Sequence, residues 1–174
     1  MTKINFVNMN NSHIPLWEKW ITVPHVKETW FIDGYETSDY IFDKINGNGH
    51  TFPFIIYLDN LPIGYIQYCD LYAYRTLTEK PKGLFTNENP GTFCIDLFIA
   101  ESDLLNKGYG TEIIKQFTQK LTNEFDAKKI LIDPAATNKR AIRCYEKAGF
   151  KVVKNENDGV TECYKTFQEK IYHL

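Results

Sequence analysis

The sequence predicts a mixed α/β fold in which helices interrupt a sheet, and three observations predict it. Apolar residues alternate along Thr92–Ile99, the pattern of a strand with two unlike faces. Ile113, Ile114, Phe117 and Leu121 recur at helical spacing with polar residues between them. Two β-prone runs, Phe54–Leu58 and Ile63–Tyr68, flank Asp59-Asn60, a pairing suited to a tight turn.

In chain order, Ile4–Met9 alternates weakly and reads as a first strand. Asn11 or Ser12 caps a short helix through Trp20, and a second helix covers Pro24–Phe31. Ser38 caps Asp39–Ile45, where Tyr40, Ile41, Lys44 and Ile45 share a helical face. After the hairpin, Tyr72–Gly91 carries Lys80-Pro81-Lys82-Gly83 and Asn89-Pro90-Gly91 and reads as a long irregular loop, of a kind that is often functional. In the following strand Phe93, Ile95, Leu97 and Ile99 line one face, leaving Cys94, Asp96 and Phe98 on the other. Lys129–Asp133 is a short strand closed by Pro134. Thr137 or Asn138 starts a helix whose Ala141, Ile142, Tyr145 and Ala148 share a face and which ends at Gly149. Lys151–Val153 and Val160–Phe167 read as the last strands, joined around Asn155–Gly159.

A length of 174 residues fits one domain, 1–174, with a real core. A formal net charge of −2 argues against a nucleic-acid-binding surface. No apolar run approaches the roughly 20 residues that cross a bilayer, and the amino terminus lacks a signal-peptide core, so a cytoplasmic protein without membrane contact is expected. Cys69, Cys94, Cys144 and Cys163 are scattered without metal-ligand spacing, and no metal site is expected. The three serines and four histidines fall in no nucleophile motif, and Lys107 precedes the glycine pair rather than following it, which excludes a Walker A loop.

The most informative stretch is Lys107-Gly108-Tyr109-Gly110-Thr111, between the alternating strand and the amphipathic helix. Glycines at this spacing let the backbone approach a ligand, and the helix start adds unpaired amides and the positive end of its dipole. Backbone amides over about 106–111, with Asn106 leading in and the Thr111 hydroxyl adding a donor, suit a phosphate. Asp96 is a carboxylate in an otherwise apolar strand, so it faces water, pairs with a cation or serves a site. Asp133 is either a turn aspartate before Pro134 or a second site carboxylate, and Tyr145 either packs with Ile142 or acts. Glu101 and Asp103 read as surface charge.

The glycine turn, together with Ile132-Asp133-Pro134 and the run Thr137–Phe150, resembles the cofactor-binding half of the GCN5-related N-acetyltransferase (GNAT) superfamily, and within it is most similar to the aminoglycoside 6′-N-acetyltransferases. The resemblance is dense over about 93–153; Leu105 stands where the superfamily carries Gln or Arg. It implies a central, mostly antiparallel sheet flanked by helices, whose fourth and fifth strands splay to admit acetyl-CoA. It implies further that Leu97, Phe98 and Ile99 offer strand backbone to the cofactor, with residues Asn106, Lys107, Gly108, Tyr109, Gly110 and Thr111 around its pyrophosphate and Asn138 at its pantetheine arm. Asp96 would anchor the amine and relay its proton, Tyr145 would protonate the leaving thiolate, and Trp30, Tyr65, Asp70, Asp96 and Asp133 would shape the acceptor pocket. Aromatic faces there suit a cationic sugar. The expected partner is thus a small cationic amine, an aminoglycoside, taken by a monomer or homodimer with no metal. A polyamine, a siderophore precursor or a protein amino terminus is the alternative acceptor, and a non-catalytic acyl-CoA sensor the alternative of another class.

Overall fold

The structure, a computed structural model, describes residues 3–30, 38–82, 85–154 and 161–166. Seven strands form one sheet: β1 (Ile4–Asn8), β2 (Thr51–Leu58), β3 (Leu61–Asp70), β4 (Thr92–Ile99), β5 (Lys129–Ile132), β6 (Lys151–Lys154) and β7 (Thr161–Thr166), in the order β1-β2-β3-β4-β5-β7-β6. Only β4 and β5 pair parallel; the other neighbours are antiparallel. The expected two-residue hairpin at Asp59-Asn60 joins β2 to β3, with Asp59 at a left-handed φ of 55°.

The helices are α1 (Ile14–Ile21), α2 (Pro24–Trp30), α3 (Ser38–Asn46), α4 (Leu71–Leu77), α5 (Tyr109–Phe125) and α6 (Lys139–Lys147). The first helix begins later than the sequence suggests: Asn10, not Asn11 or Ser12, caps a short 3₁₀ turn at Asn11–His13, and α1 follows with Pro15 in its first turn. The stretch read as irregular from Tyr72 onward starts as helix α4, because the Asp70 carboxylate accepts the Ala73 N–H at 2.9 Å and caps it. Phe31, placed at the end of the second helix, and the connection at 155–159 lie outside the described residues.

Strand alternation divides the core into two. On one face Phe54, Ile56, Ile66, Ile95 and Ile130 meet the α5 stripe of Ile113, Ile114, Phe117 and Leu121, with Tyr145, Ala148 and Phe150 closing the layer. On the other, Ile55, Tyr65 and Phe98 pack under Trp17, Trp20, Val26 and Ile41 from the amino-terminal helices. The expected division of β4 is therefore the one observed, with Phe93 and Ile95 on the α5 side and Phe98 opposite. Each fully buried Ile or Phe contributes about 1.5–3 kcal/mol by burial. Among the described residues no helix is long and apolar enough to cross a membrane.

What positions the site is where β4 and β5 stop pairing. Their register runs only from Thr92↔Lys129 to Cys94↔Leu131, while β4 stays paired with β3 as far as Gly64↔Ile99. The expected splay is present, and it opens between Asp96 and Asp133.

Close strand approach at Gly64 holds the far end of β4 in place. A Cβ there would lie 2.2 Å from the Phe98 carbonyl oxygen and 3.0 Å from Ile99 Cα, both backbone atoms. Gly64→Ala should therefore destabilise by about 1–3 kcal/mol in urea unfolding, the range of an overpacked site. Gly47→Ala, where φ is +91° and no atom lies within 4 Å, is the control and should show only left-handed strain of about 1–2 kcal/mol, with no effect on the β4 edge.

Candidate active site

Two clefts meet at the opening between β4 and β5. The larger, of about 490 Å³, runs between the β4 edge, the turn at 104–111 and helix α6. Its floor is Leu97, Phe98 and Ile99. The Ile99 carbonyl turns away from β3 and meets His25 Nε2 at 2.9 Å. Because backbone groups alternate along a strand, Leu97 sends its amide and carbonyl to the same open side.

The turn that begins α5 is built for close backbone approach. Gly108 is the helix N-cap at φ 88°, a left-handed conformation that suits glycine, and no side chain caps the helix. The first-turn amides of α5 are thus left for a ligand, at the positive end of a 17-residue helix. At Gly110 a Cβ would stand 3.1 Å from Cys144 Sγ, so this turn also sits tight against α6. Arg140, Arg143 and Lys147 of α6 line the same cleft, and none of its described lining residues is acidic. Burial pushes the Cys144 thiol above its ordinary value, offset in part by its hydrogen bond with Thr111 and by Lys147 and Arg140.

The smaller cleft, of about 280 Å³, has the opposite character. Asp96 and Asp133 line it with Trp30, Gln67 and Pro134, and no Lys or Arg does so among the described residues. Cys94 Sγ and one carboxylate oxygen from each aspartate lie within 4.8 Å of one another. Burial first, then the Asp96 and Asp133 carboxylates, pushes the Cys94 thiol well above the ordinary thiol value. With the thiol held neutral, the cluster offers a cation two carboxylates rather than a thiolate. Thr29, Leu97, Asn138 and Tyr145 line both clefts and mark their junction.

Most of the sequence candidates converge here. Leu97, Phe98, Ile99, Asn106, Gly108, Gly110, Thr111, Asn138 and Tyr145 line the larger cleft, and Trp30, Asp96 and Asp133 the smaller. Asn138 also caps α6 through Ala141 N–H at 3.1 Å. Four candidates stand elsewhere. Asp70 lines neither cleft, since its carboxylate is engaged as the α4 cap. Tyr65 is fully buried one layer below, its ring stacked on Phe98 and its hydroxyl donating to Gln67 Oε1 at 2.7 Å. Lys107 and Tyr109 leave the lining to the glycines and backbone between them. Sequence reasoning missed His25, Thr29 and Gln67. Gln67 had a findable signal, an amide on the buried face of an otherwise apolar strand; the other two depend on tertiary placement alone.

The profile of the acetyltransferase (GNAT) domain family matches residues 10–157. The aminoglycoside N(6′)-acetyltransferase type 1 of Klebsiella pneumoniae is 31% identical over 150 residues, covering 82% of this chain and 71% of the relative. Among solved structures, the aminoglycoside acetyltransferase AAC(6′)-Ib with coenzyme A and kanamycin superposes with a TM-score of 0.77 at 27% identity, covering 94% of this chain and 95% of that one. The same enzyme with paromomycin and acetyl-CoA gives 0.78 at 28%, covering 94% and 93%. A basic cleft and an acidic cleft joined at the splay of two parallel strands are thus found on a chain that belongs to the GNAT acetyltransferase family.

Proposed function

We propose that this acetyltransferase transfers the acetyl group of acetyl-CoA to the 6′-amine of an aminoglycoside. The observation that carries the reading is the division of charge. Arg140, Arg143 and Lys147 surround one cleft, Asp96 and Asp133 the other, and Tyr145 and the β4 edge stand where they meet. A polyphosphate cofactor fits the first and a polycation the second, and electrostatic complementarity of this kind sets orientation and encounter rate. The relatives named for aminoglycoside acetylation, and the neighbour solved with kanamycin, support the choice of acceptor.

Acetyl-CoA supplies an activated thioester. The chain's own groups divide the remaining tasks. The amides at the start of α5 and the α6 cations hold phosphate, while the Leu97 amide donates to the thioester carbonyl. Asp96 anchors the ammonium and takes its proton, directly or through water, with Asp133 adding a second negative charge. As the new C–N bond forms and the C–S bond breaks, the nitrogen loses its second proton to water, and the hydroxyl of Tyr145, a residue lining both clefts, gives its proton to the departing sulfur and is reprotonated from solvent. Holding both substrates in one frame supplies up to several kcal/mol of the barrier reduction. The protein works as one domain in the cytoplasm, as a monomer or homodimer, and no step requires a metal.

Release of the CoA thiol from acetyl-CoA should be fast with kanamycin and absent with paromomycin, which carries a 6′-hydroxyl. Release with neither, while acetyl-CoA still binds, would move the acceptor to polyamines, siderophore precursors or peptides, and transfer to none of them would leave an acyl-CoA sensor. Asp96→Asn should lower turnover about a hundredfold, within the range of general acid–base catalysis, with acetyl-CoA affinity little changed. Wild-type turnover in that variant would remove Asp96 from the reaction.

Cys144 gives a readout independent of turnover. Its raised thiol value predicts slow alkylation by iodoacetamide at pH 8, accelerating as pH climbs past the ordinary thiol range. Saturating coenzyme A should slow that labelling severalfold, as peptide mapping by mass spectrometry would show. An unchanged rate would place the cofactor away from the α5–α6 seam.

A further inference from the structure

Lys44 on α3 is only 3% exposed, an unusual burial for a lysine. Its ammonium lies 4.6 Å from the centre of the Tyr40 ring and donates to Gln67 Oε1 at 2.7 Å. The Tyr65 hydroxyl donates to that same oxygen, also at 2.7 Å. On its other side Gln67 donates from Nε2 to Asp96 Oδ2 at 2.9 Å. The string therefore starts in the amino-terminal helices, crosses β3 and ends on the carboxylate that lines the acceptor cleft.

The order of donors and acceptors in this string admits one arrangement. An ammonium can only donate, so the Gln67 atom beside Lys44 must be the oxygen. The amide nitrogen is then forced towards Asp96, where it can only donate, and the partner oxygen must accept. With Lys44 present a turned amide would set its NH2 against the ammonium as well as its carbonyl against the Asp96 carboxylate; without Lys44 only the second clash opposes the turn. Tyr65 alone does not prevent this, because a hydroxyl serves as donor or acceptor.

We propose that Lys44 is a positioning residue for the transfer reaction: by fixing the orientation of the Gln67 amide it holds the Asp96 carboxylate aimed into the acceptor cleft. The inference rests on the role given to Asp96 above. It goes beyond that role in assigning a function to a residue that lines neither cleft.

The test is a double-mutant cycle on turnover with kanamycin. Lys44→Met fills the space without a charge, and replacing a buried ion by an apolar side chain of similar size is often neutral for stability. Lys44→Met should lower kcat about tenfold while KM for acetyl-CoA stays within about twofold, a loss typical of an outer partner to a functional group. In a Gln67→Leu background, which has no amide to orient, Lys44→Met should cause no further loss. Additive losses, or wild-type kcat in Lys44→Met, would overturn the proposal. Should Lys44→Met prove unstable, Gln67→Leu alone keeps the proposal testable: it should lower kcat about tenfold, and wild-type kcat in it would overturn the proposal, because Lys44 acts only through that amide. Asp96→Asn in parallel separates the two readings. If it retains wild-type turnover the Asp96 role fails, and if it is slow while Lys44→Met is not, the positioning role alone fails.

Discussion

The early end of the β4–β5 ladder governs the site. A central strand ordinarily satisfies its backbone on both edges, and an unpaired buried N–H or C=O costs about 1–3 kcal/mol. Here β4 keeps its β3 partner through Ile99 but loses β5 after Cys94. Two local features bound the exposed edge. Pro134 follows the strand and has no N–H to continue a ladder. At the far end of the same open edge His25 of α2 meets the Ile99 carbonyl. The β4 edge between those points is left to face the cleft, and the same divergence puts Asp96 on one wall and Asp133 on the other.

Net charge conceals how this chain uses its charges. A formal −2 over 174 residues describes a near-neutral surface, yet the described lining of one cleft holds cations and no acids, and that of the other acids and no cations. The fold produces the separation through the positions of two elements. Helix α6 carries Arg140, Arg143 and Lys147 at helical spacing along the larger cleft. Asp96 comes from the middle of β4 and Asp133 from just past the end of β5, where backbone divergence leaves room for them. Tyr145 belongs to α6 and also packs in the main core, so its position is fixed by burial on the side away from the clefts. Packing and function are therefore compatible at this residue.

The parts of this arrangement that the sequence disclosed are those set by local periodicity. The faces of β4, the α5 stripe, the hairpin and the glycine turn follow from spacings of two, three or four residues, which one segment contains in full. The rest depends on register between distant segments. Gln67 becomes a partner of Asp96 only because those two residues face each other across β3 and β4. Tyr65, two residues earlier on the same face, falls beneath the aromatic layer instead of in the cleft. Asp70 was legible in principle, as an aspartate just ahead of Leu71–Leu77, where a helix cap competes with a binding role. The prolines and glycines further along that stretch concealed the helix it begins. Lys107 and Tyr109 were read as contributing backbone amides to the turn, and neither is among the residues lining the cleft.

Lys44 shows how far residue identity can depart from what packing alone would choose. Its position on α3 falls in line with Ile41 and Ile45, a face that contacts the core, where a Leu or Met would fill the space without desolvating a charge. Buried polar strings weaken a fold unless every member is satisfied, and the bonds from Lys44 and Tyr65 to Gln67 and on to Asp96 satisfy this one along its length. The apolar alternative would keep the volume and leave the amide's direction to Asp96 alone, without the ammonium that selects the oxygen at the other end. Under the role proposed for Asp96, that distinction serves the site even where it does nothing for stability.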